Sequence, residues 1–297
     1  RFCQAGILYR PVRERSFESL LELAEDLRKS TGYEELSLTS LSTSDYSEIK
    51  RLITELMDRY AGDELAISLP SLRADSFSID LAKQVQRVRK TGLTLAPEAG
   101  TQRLRDVINK GVTAEDLLQS VEDAVSAGWT LIKLYFMIGL PTEEYGDLDG
   151  IVELAREVAR IDRKLNVTVS VSTFVPKAHT PFQWFGQNSL QEIGEKQEYL
   201  KTILRDRRIK LDMHEPKLSV LEAVFSRGDR KLGEVLEKAW TLGCRFDGWR
   251  DHFNFDLWMQ AFSESGIDPD FYSTRTRDIN EVLPWDHIDS GVSKRFL

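Results

Sequence analysis

The 297 residues are 41% hydrophobic and 30% charged, a composition that buries one large core or two ordinary ones and excludes disordered and collagen-like chains. Forty Lys and Arg against 48 Asp and Glu leave a net charge of -8, so the global basic field behind non-specific phosphate binding is missing, although a local nucleic-acid site stays open. No apolar run approaches the roughly 20 residues that cross a bilayer, and two cysteines without a signal peptide predict a cytoplasmic, non-membrane protein with no disulfide scaffold.

The chain opens on Arg1-Phe2-Cys3-Gln4-Ala5-Gly6 and closes on Ser293-Lys294-Arg295-Phe296-Leu297, which reads as a piece of a longer protein. From Ser16 onward, helical periodicity alternates with short apolar runs, and Gly, Pro, Asn or Asp punctuate the junctions. In chain order the expected elements are a helix from Phe17 to Lys29, a strand from Leu36 to Leu41, a helix from Glu48 to Tyr60 and a strand from Leu65 to Leu69. A helix from Ile79 to Lys90, a strand from Leu93 to Ala96, a helix from Ala114 to Ala127 and a strand from Leu131 to Phe136 follow. A helix from Gly150 to Lys164, a strand from Val167 to Val171 and a helix from Leu190 to Arg207 complete the series. Gly32, Gly62, Gly92 and Gly128 stand where a left-handed residue would stop a helix.

Strands separated by helices of this length run parallel, because a parallel neighbour requires a crossover. No G-x-G-x-x-G follows the early strands, and the polar, Pro- and Gly-rich segments all follow strand ends, which favours a (β/α) barrel over a doubly wound sheet. Five strands, with another expected upstream of the Phe17 helix, fall short of the eight that close a barrel. The expectation is an α/β fold: a partial (β/α) barrel over residues 1–208 and an α-rich C-terminal extension over 209–297, where the βα rhythm weakens and Trp240, Trp249, Trp258 and Trp285 appear.

Cys3 precedes the first long helix, with Arg10, Arg13 and Arg15 close by in sequence, a setting that favours thiolate and hence soft-metal or iron-sulfur ligation over a buried structural thiol. Here the sequence resembles the radical S-adenosylmethionine (SAM) enzymes, which hold a 4Fe-4S cluster on C-x-x-x-C-x-aromatic-C after the first barrel strand. Arg1-Phe2-Cys3 matches the last three positions of that motif, and the resemblance places the two earlier cysteines before Arg1. Gln4 to Ser16, Gly228-Asp229-Arg230, Arg245-Phe246-Asp247-Gly248-Trp249 and Leu283-Pro284-Trp285-Asp286-His287-Ile288-Asp289 are similar to a subgroup whose radical SAM domain follows a cobalamin-binding-like domain.

The resemblance implies that three thiolates leave one iron free to chelate SAM, whose reductive cleavage yields a 5′-deoxyadenosyl radical. Cys3 is then the metal ligand. Thr39, Ser40 and Leu41 take the place of the strand-two Gly-Gly-Glu whose backbone receives the SAM amino group; the competing reading makes Ser44, Asp45 and Ser47 caps of the helix at Glu48. Glu98, in Ala96-Pro97-Glu98-Ala99-Gly100, would approach the SAM ribose, against the alternative of a carboxylate at a helix N-terminus. Arg103, Arg105 and Lys110 are candidates for the methionine carboxylate, or belong to a solvated helix face, and Ile138-Gly139 in the segment Tyr135 to Glu144 would lie along the adenine. Lys177 and His179 could face substrate, or could belong to a rigid loop packing Phe182 and Trp184.

The implied partners are SAM, an electron-donor protein and a substrate that could be RNA, protein or a small molecule. The reaction could be methyl or methylthio transfer, with cobalamin used through a domain outside this chain. No catalytic residue is assigned, and with two cluster cysteines absent residues 1–297 alone are expected to be inactive. The rivals are a non-catalytic barrel acting as an RNA-associated module and a metal-independent lyase with Lys133 as base or Schiff-base residue. Scattered His214, His252 and His287 disfavour a zinc hydrolase, and no P-loop or G-x-S-x-G is present.

Overall fold

Polar side chains at the expected helix starts set the frame of the computed structural model, which describes residues 1–68, 84, 88 and 92–297. After a one-turn helix α1 (Ala5–Leu8), Ser16 caps α2 (Phe17–Thr31) by accepting the Ser19 N–H at 3.2 Å, and Gly32 ends it in the left-handed region. β1 (Glu35–Ser37), α3 (Ile49–Tyr60) and β2 (Ala66–Ser68) form one β/α unit whose two strands pair in parallel. Phe17, Leu21, Leu52, Ile53, Leu56, Met57 and Ile67 pack into its core.

A second sheet holds β3 (Leu93–Glu98), β4 (Leu131–Ile138), β5 (Asn166–Thr173) and β6 (Ile209–Met213) in chain order, every pairing parallel. The crossovers are α4 (Gln102–Ile108) with α5 (Ala114–Ser126), then α6 (Tyr145–Ile161), then α7 (Leu190–Ile203). Capping boxes at Thr113/Asp116 and Ser189/Glu192 fix the starts of α5 and α7. Leu95, Leu134, Phe136, Val167, Val169 and Val171 alternate onto the face covered by Leu117, Val121, Ile151, Ala155, Val158 and Ile193. The intervening Thr94, Lys133, Thr168 and Ser170 occupy the other, partly exposed face. This is the expected α/β class with parallel sheets.

Beyond the sheet lie α8 (Pro216–Arg227), α9 (Leu232–Leu242), α10 (Phe255–Glu264) and α11 (Pro269–Ser273). Val224, Val235, Ala239, Trp258, Ala261 and Phe262 form their separate core. None of the described helices is long and apolar enough to cross a membrane.

Several expectations change in detail. Residues 1–16 hold α1 and coil, with no strand. The predicted helix from Ile79 to Lys90 falls outside the described residues save Gln84 and Val88, as does Leu69. Gly62 sits inside a 3-10 turn, and Glu64 takes the left-handed position instead. Neither Ser44, Asp45 nor Ser47 caps α3: Ser47 binds Glu14, and Glu48 occupies the cap without a side-chain bond. The helix expected to reach Arg207 stops at Ile203, so the basic run Arg205–Lys210 is a turn as far as Arg208 and then enters β6, with the Arg208 guanidinium donating to Ala159 O at 2.6 Å. The sheet thus continues past the boundary expected at residue 208, because Ile209, Leu211 and Met213 alternate onto the same core as β5.

Candidate functional site

The C-terminal ends of β3, β4 and β5 meet a small apolar cluster of Ala99, Leu104, Ile108, Met137, Leu140, Phe174 and Phe182, against which Phe2 packs. The Arg1 guanidinium donates to Val107 O at 2.9 Å, and the Gln4 amide donates to Ala178 O at 3.1 Å, in the loop after β5. Cys3 is therefore held between two residues anchored on this rim, while its own thiol is exposed. Chain segments more than 100 residues apart meet at this rim.

Glu98 reaches the rim through a break in the ladder. Pro97 has no N–H to donate, and between Leu95 and Glu98 β3 carries one residue more than β4, which pairs Leu134 and Phe136 over the same interval. At this bulge Glu98 adopts φ 69°, a left-handed conformation that costs an ordinary side chain about 1–2 kcal/mol. Its carboxylate accepts from Lys110 Nζ at 3.2 Å. Burial pushes its pKa up, and the Lys110 ammonium opposes that shift. Two of the sequence candidates thus form one pair.

Ile138 is fully buried and Gly139 turns the chain at φ 79°. A Cβ on Gly139 would stand 2.8 Å from Asn188 Oδ1, so this buried turn is closely covered by Asn188. Glu143 folds back on this turn rather than facing water at the helix start, accepting from Gly139 N (2.8 Å), Leu140 N (3.4 Å) and Lys196 Nζ (2.7 Å). Lys196 also donates to Asn188 Oδ1 at 2.9 Å. The Glu143 side chain is 1% exposed; burial raises its pKa, with Lys196 and the two backbone donors pulling the other way.

Arg103 is engaged as well. Its guanidinium donates to the buried Asp147 carboxylate and to Thr142 O (2.9 Å), tying α4 to the turn before α6. Thr101 Oγ1 donates to the same carboxylate, and the Glu144 N–H does so at 2.8 Å. Arg105 is buried and donates to Ala99 O (3.0 Å), which makes it a brace of the β3–α4 turn. Gly100 lets α6 approach: a Cβ there would lie 2.3 Å from Asp147 O and Ile151 N. Thr39, Ser40 and Leu41 are exposed beyond the end of β1, with Ser40 Oγ accepting from Ser42 N at 3.2 Å.

The loop after β5 is pinned by the C-terminal helices. Lys177 donates to Glu222 and to Ser226 Oγ (3.2 Å), and His179 sits at φ 57° with its N–H donating to Gln183 Oε1 at 3.1 Å. That same oxygen accepts from Trp285 Nε1 at 2.7 Å, so the string around Leu283–Asp289 reaches the rim loop. Lys133 lies on the face away from the helices, its ammonium 4.8 Å from the Tyr135 ring centroid. Lys196, Asn188 and Asp147 escaped sequence reading; only the acidic residues following Gly139 hinted that a counter-charge was needed.

The profile described as Radical SAM superfamily matches residues 1–155. A protein described as uncharacterized protein MJ0966 of Methanocaldococcus jannaschii is 30% identical over 269 residues, covering 90% of this chain; the chain spans 58% of that relative's length. Among solved structures, SuiB of Streptococcus suis bound to S-adenosylmethionine is similar at TM-score 0.48 and 12% identity, over 72% of this chain and 47% of that one. The radical SAM methyltransferase TsrM of Kitasatospora setae, with cobalamin and a 4Fe-4S cluster bound, is similar at TM-score 0.49 and 14% identity, over 84% of this chain and 56% of that one.

Proposed function

The chain belongs to the radical SAM superfamily, and from that membership we propose that Cys3 is one ligand of a 4Fe-4S cluster and that the rim of β3–β5 binds SAM. The residues present fit the assignment. Such clusters take thiolate ligands, and Cys3 offers an exposed thiol at the rim. Cys244 is buried among the C-terminal helices, and no group of three or more metal-ligating side chains occurs among the described residues. The reading therefore assigns the other cluster cysteines to the protein outside residues 1–297.

When bound, the cluster and SAM supply a one-electron reductive cleavage of the sulfonium. The chain's own residues bind and orient. Glu98, aimed by its bulge, accepts from the ribose hydroxyls, and the Lys110 ammonium opposes the upward pull of burial on its carboxyl pKa. The turn at Ile138–Gly139 lies beside the adenine, held by the Glu143–Lys196 pair. Exposed backbone at Thr39, Ser40 and Leu41 receives the SAM amino group. Arg103 positions the turn before α6 through Asp147 and Thr142. An electron-donor protein supplies the electron. The substrate, of RNA, protein or small-molecule class, undergoes methyl or methylthio transfer, the former calling on cobalamin carried by another domain.

The observation that carries this reading is the exposed Cys3 thiol fixed at the rim by Phe2 and Gln4. The test is to reconstitute the full-length protein anaerobically with iron and sulfide, add SAM and dithionite, and measure 5′-deoxyadenosine. Production by the wild type and its loss in Cys3→Ala support the assignment. A folded, iron-loaded wild type that yields none contradicts it.

A further inference from the structure

Trp285 lies 102 residues beyond Gln183, yet its indole N–H donates to Gln183 Oε1 at 2.7 Å, and both side chains are buried. We propose that Trp285 and Gln183 are positioning residues for the segment that carries Cys3. Through Gln183 the indole fixes Ala178 and His179 in the loop after β5, and Ala178 in turn holds Gln4, the residue next to Cys3.

The chain that leads to Trp285 is laid along this loop. Gln187 N donates to Ser273 O at 2.9 Å, and Arg277 N donates to Trp184 O at 2.8 Å. Gly186 is required for that approach, since a Cβ there would fall 1.8 Å from Thr274 O. The Arg277 guanidinium then lies over the indole, 5.1 Å from the Trp285 ring centroid, and orients its face.

The loop so held carries the grip on the Cys3 segment. Ala178 packs against Trp184, Leu283 and Trp285, and its carbonyl oxygen accepts from the Gln4 amide at 3.1 Å. His179, the next residue, sits at φ 57° and donates its N–H to Gln183 Oε1 at 3.1 Å. An amide oxygen has two acceptor sites, and here one serves the loop and the other the C-terminal segment. Thr180 is fully buried and donates to Lys177 O at 2.8 Å, closing the loop on itself.

Both flanks of Cys3 are thereby tied down. Arg1 and Phe2 anchor one flank on α4 and the apolar rim cluster, and Gln4 anchors the flank leading into α1. The helix α1 is a single turn with no buried residue, so its own packing cannot hold that flank. The Gln4–Ala178 bond takes over the task. A ligand fixed before metal arrives loses less conformational freedom on binding and retains the metal better. That functional consequence rests on the assignment of Cys3 as a cluster ligand, whereas the link itself stands on the contacts alone.

The test is hydrogen–deuterium exchange of the full-length protein before cluster loading, followed by a chelator challenge after loading. Trp285→Phe keeps a packed ring and removes its donor, Gln4→Ala cuts the far end of the link, and Phe246→Ala, at an exposed ring that meets His252, is the comparison. In W285F the amides of residues 177–183 and 5–9 should exchange about fivefold faster or more, the weight of one neutral hydrogen bond, while those of β4 and β5 keep their protection. In Q4A only residues 5–9 should speed up, and F246A should match the wild type. Once reconstituted, W285F and Q4A should each release iron to the chelator about fivefold faster than wild type. The W285F/Q4A double variant should be little faster than either, because both cut one link. Wild-type exchange in W285F, faster exchange confined to residues 177–183, or unchanged iron release from a W285F whose exchange has risen would each overturn the proposal. A wild type that takes up no iron contradicts the Cys3 assignment instead, and the exchange result then decides the link by itself.

Discussion

Replacing Lys196 by Met removes the only side-chain cation that contacts Glu143 among the described residues and leaves that carboxylate, 1% exposed, with two backbone donors there. Breaking a buried ion pair from one side costs roughly 3–5 kcal/mol. Lys196 keeps 16% exposure and so gives up less solvation than a fully buried partner, which points to the lower figure, about 3 kcal/mol at pH 8. Protonating Glu143 caps the loss. Neutralising an ordinary glutamate costs about 5 kcal/mol at pH 8 but only about 1 kcal/mol at pH 5, at 1.36 kcal/mol for each unit above its pKa. Burial raises the folded pKa of Glu143, so its contribution favours the fold at low pH and is lost as pH rises through that value. Urea denaturation of wild type and K196M should give a gap of about 3 kcal/mol at pH 8 that falls to about 1 kcal/mol or less at pH 5. Adding Glu143→Gln, which keeps an acceptor for Gly139 N, should recover most of the loss at pH 8. A gap below about 1 kcal/mol at pH 8, or one of the same size at both pH values, would refute the reasoning.

Other consequences are as direct. Gly139→Ala places a Cβ 2.8 Å from Asn188 Oδ1 in a left-handed residue, and should cost about 1–3 kcal/mol in denaturant titration; Asn188→Ala should restore the steric part only. Gly100→Ala meets backbone atoms of α6 at 2.3 Å that cannot turn aside, so it should destabilise by about 3 kcal/mol or more, or yield no folded protein. Glu98→Gln should weaken SAM binding by about tenfold or more in equilibrium dialysis while the unfolding transition moves by less than about 1 kcal/mol. Because burial raises the Glu98 pKa, wild-type SAM affinity should decline as pH falls through that raised value, and the E98Q variant should lack the decline.

The βα rhythm was legible because each strand alternates or runs apolar over a few residues and several helices begin at a good cap. Thr113 and Ser189 show this most plainly. β6 was missed although Ile209-Lys210-Leu211-Asp212-Met213 alternates, because the adjoining basic run resembled a helix end. The start of α6 at Tyr145 was obscured by Gly146 and Gly150, poor helix formers; Gly150 is tolerated because a Cβ there would meet Thr101 and Gly100. At the rim, the string from Gly139 to Glu143 stood out, but its meaning depends on Lys196, 53 residues further along the chain. Local pattern carries no such partner. Likewise Arg103 could be seen as a cation near the site, yet its engagement with Asp147 arises only once α6 packs on Gly100.

The most direct test of the central claim is iron and sulfide content after anaerobic reconstitution of the full-length protein carrying Cys3→Ala or Cys244→Ala. The account predicts that C244A, which alters a buried thiol of the helical region, keeps the wild-type content and cluster absorption, whereas C3A loses most of both while remaining folded. Full cluster content in C3A would contradict it.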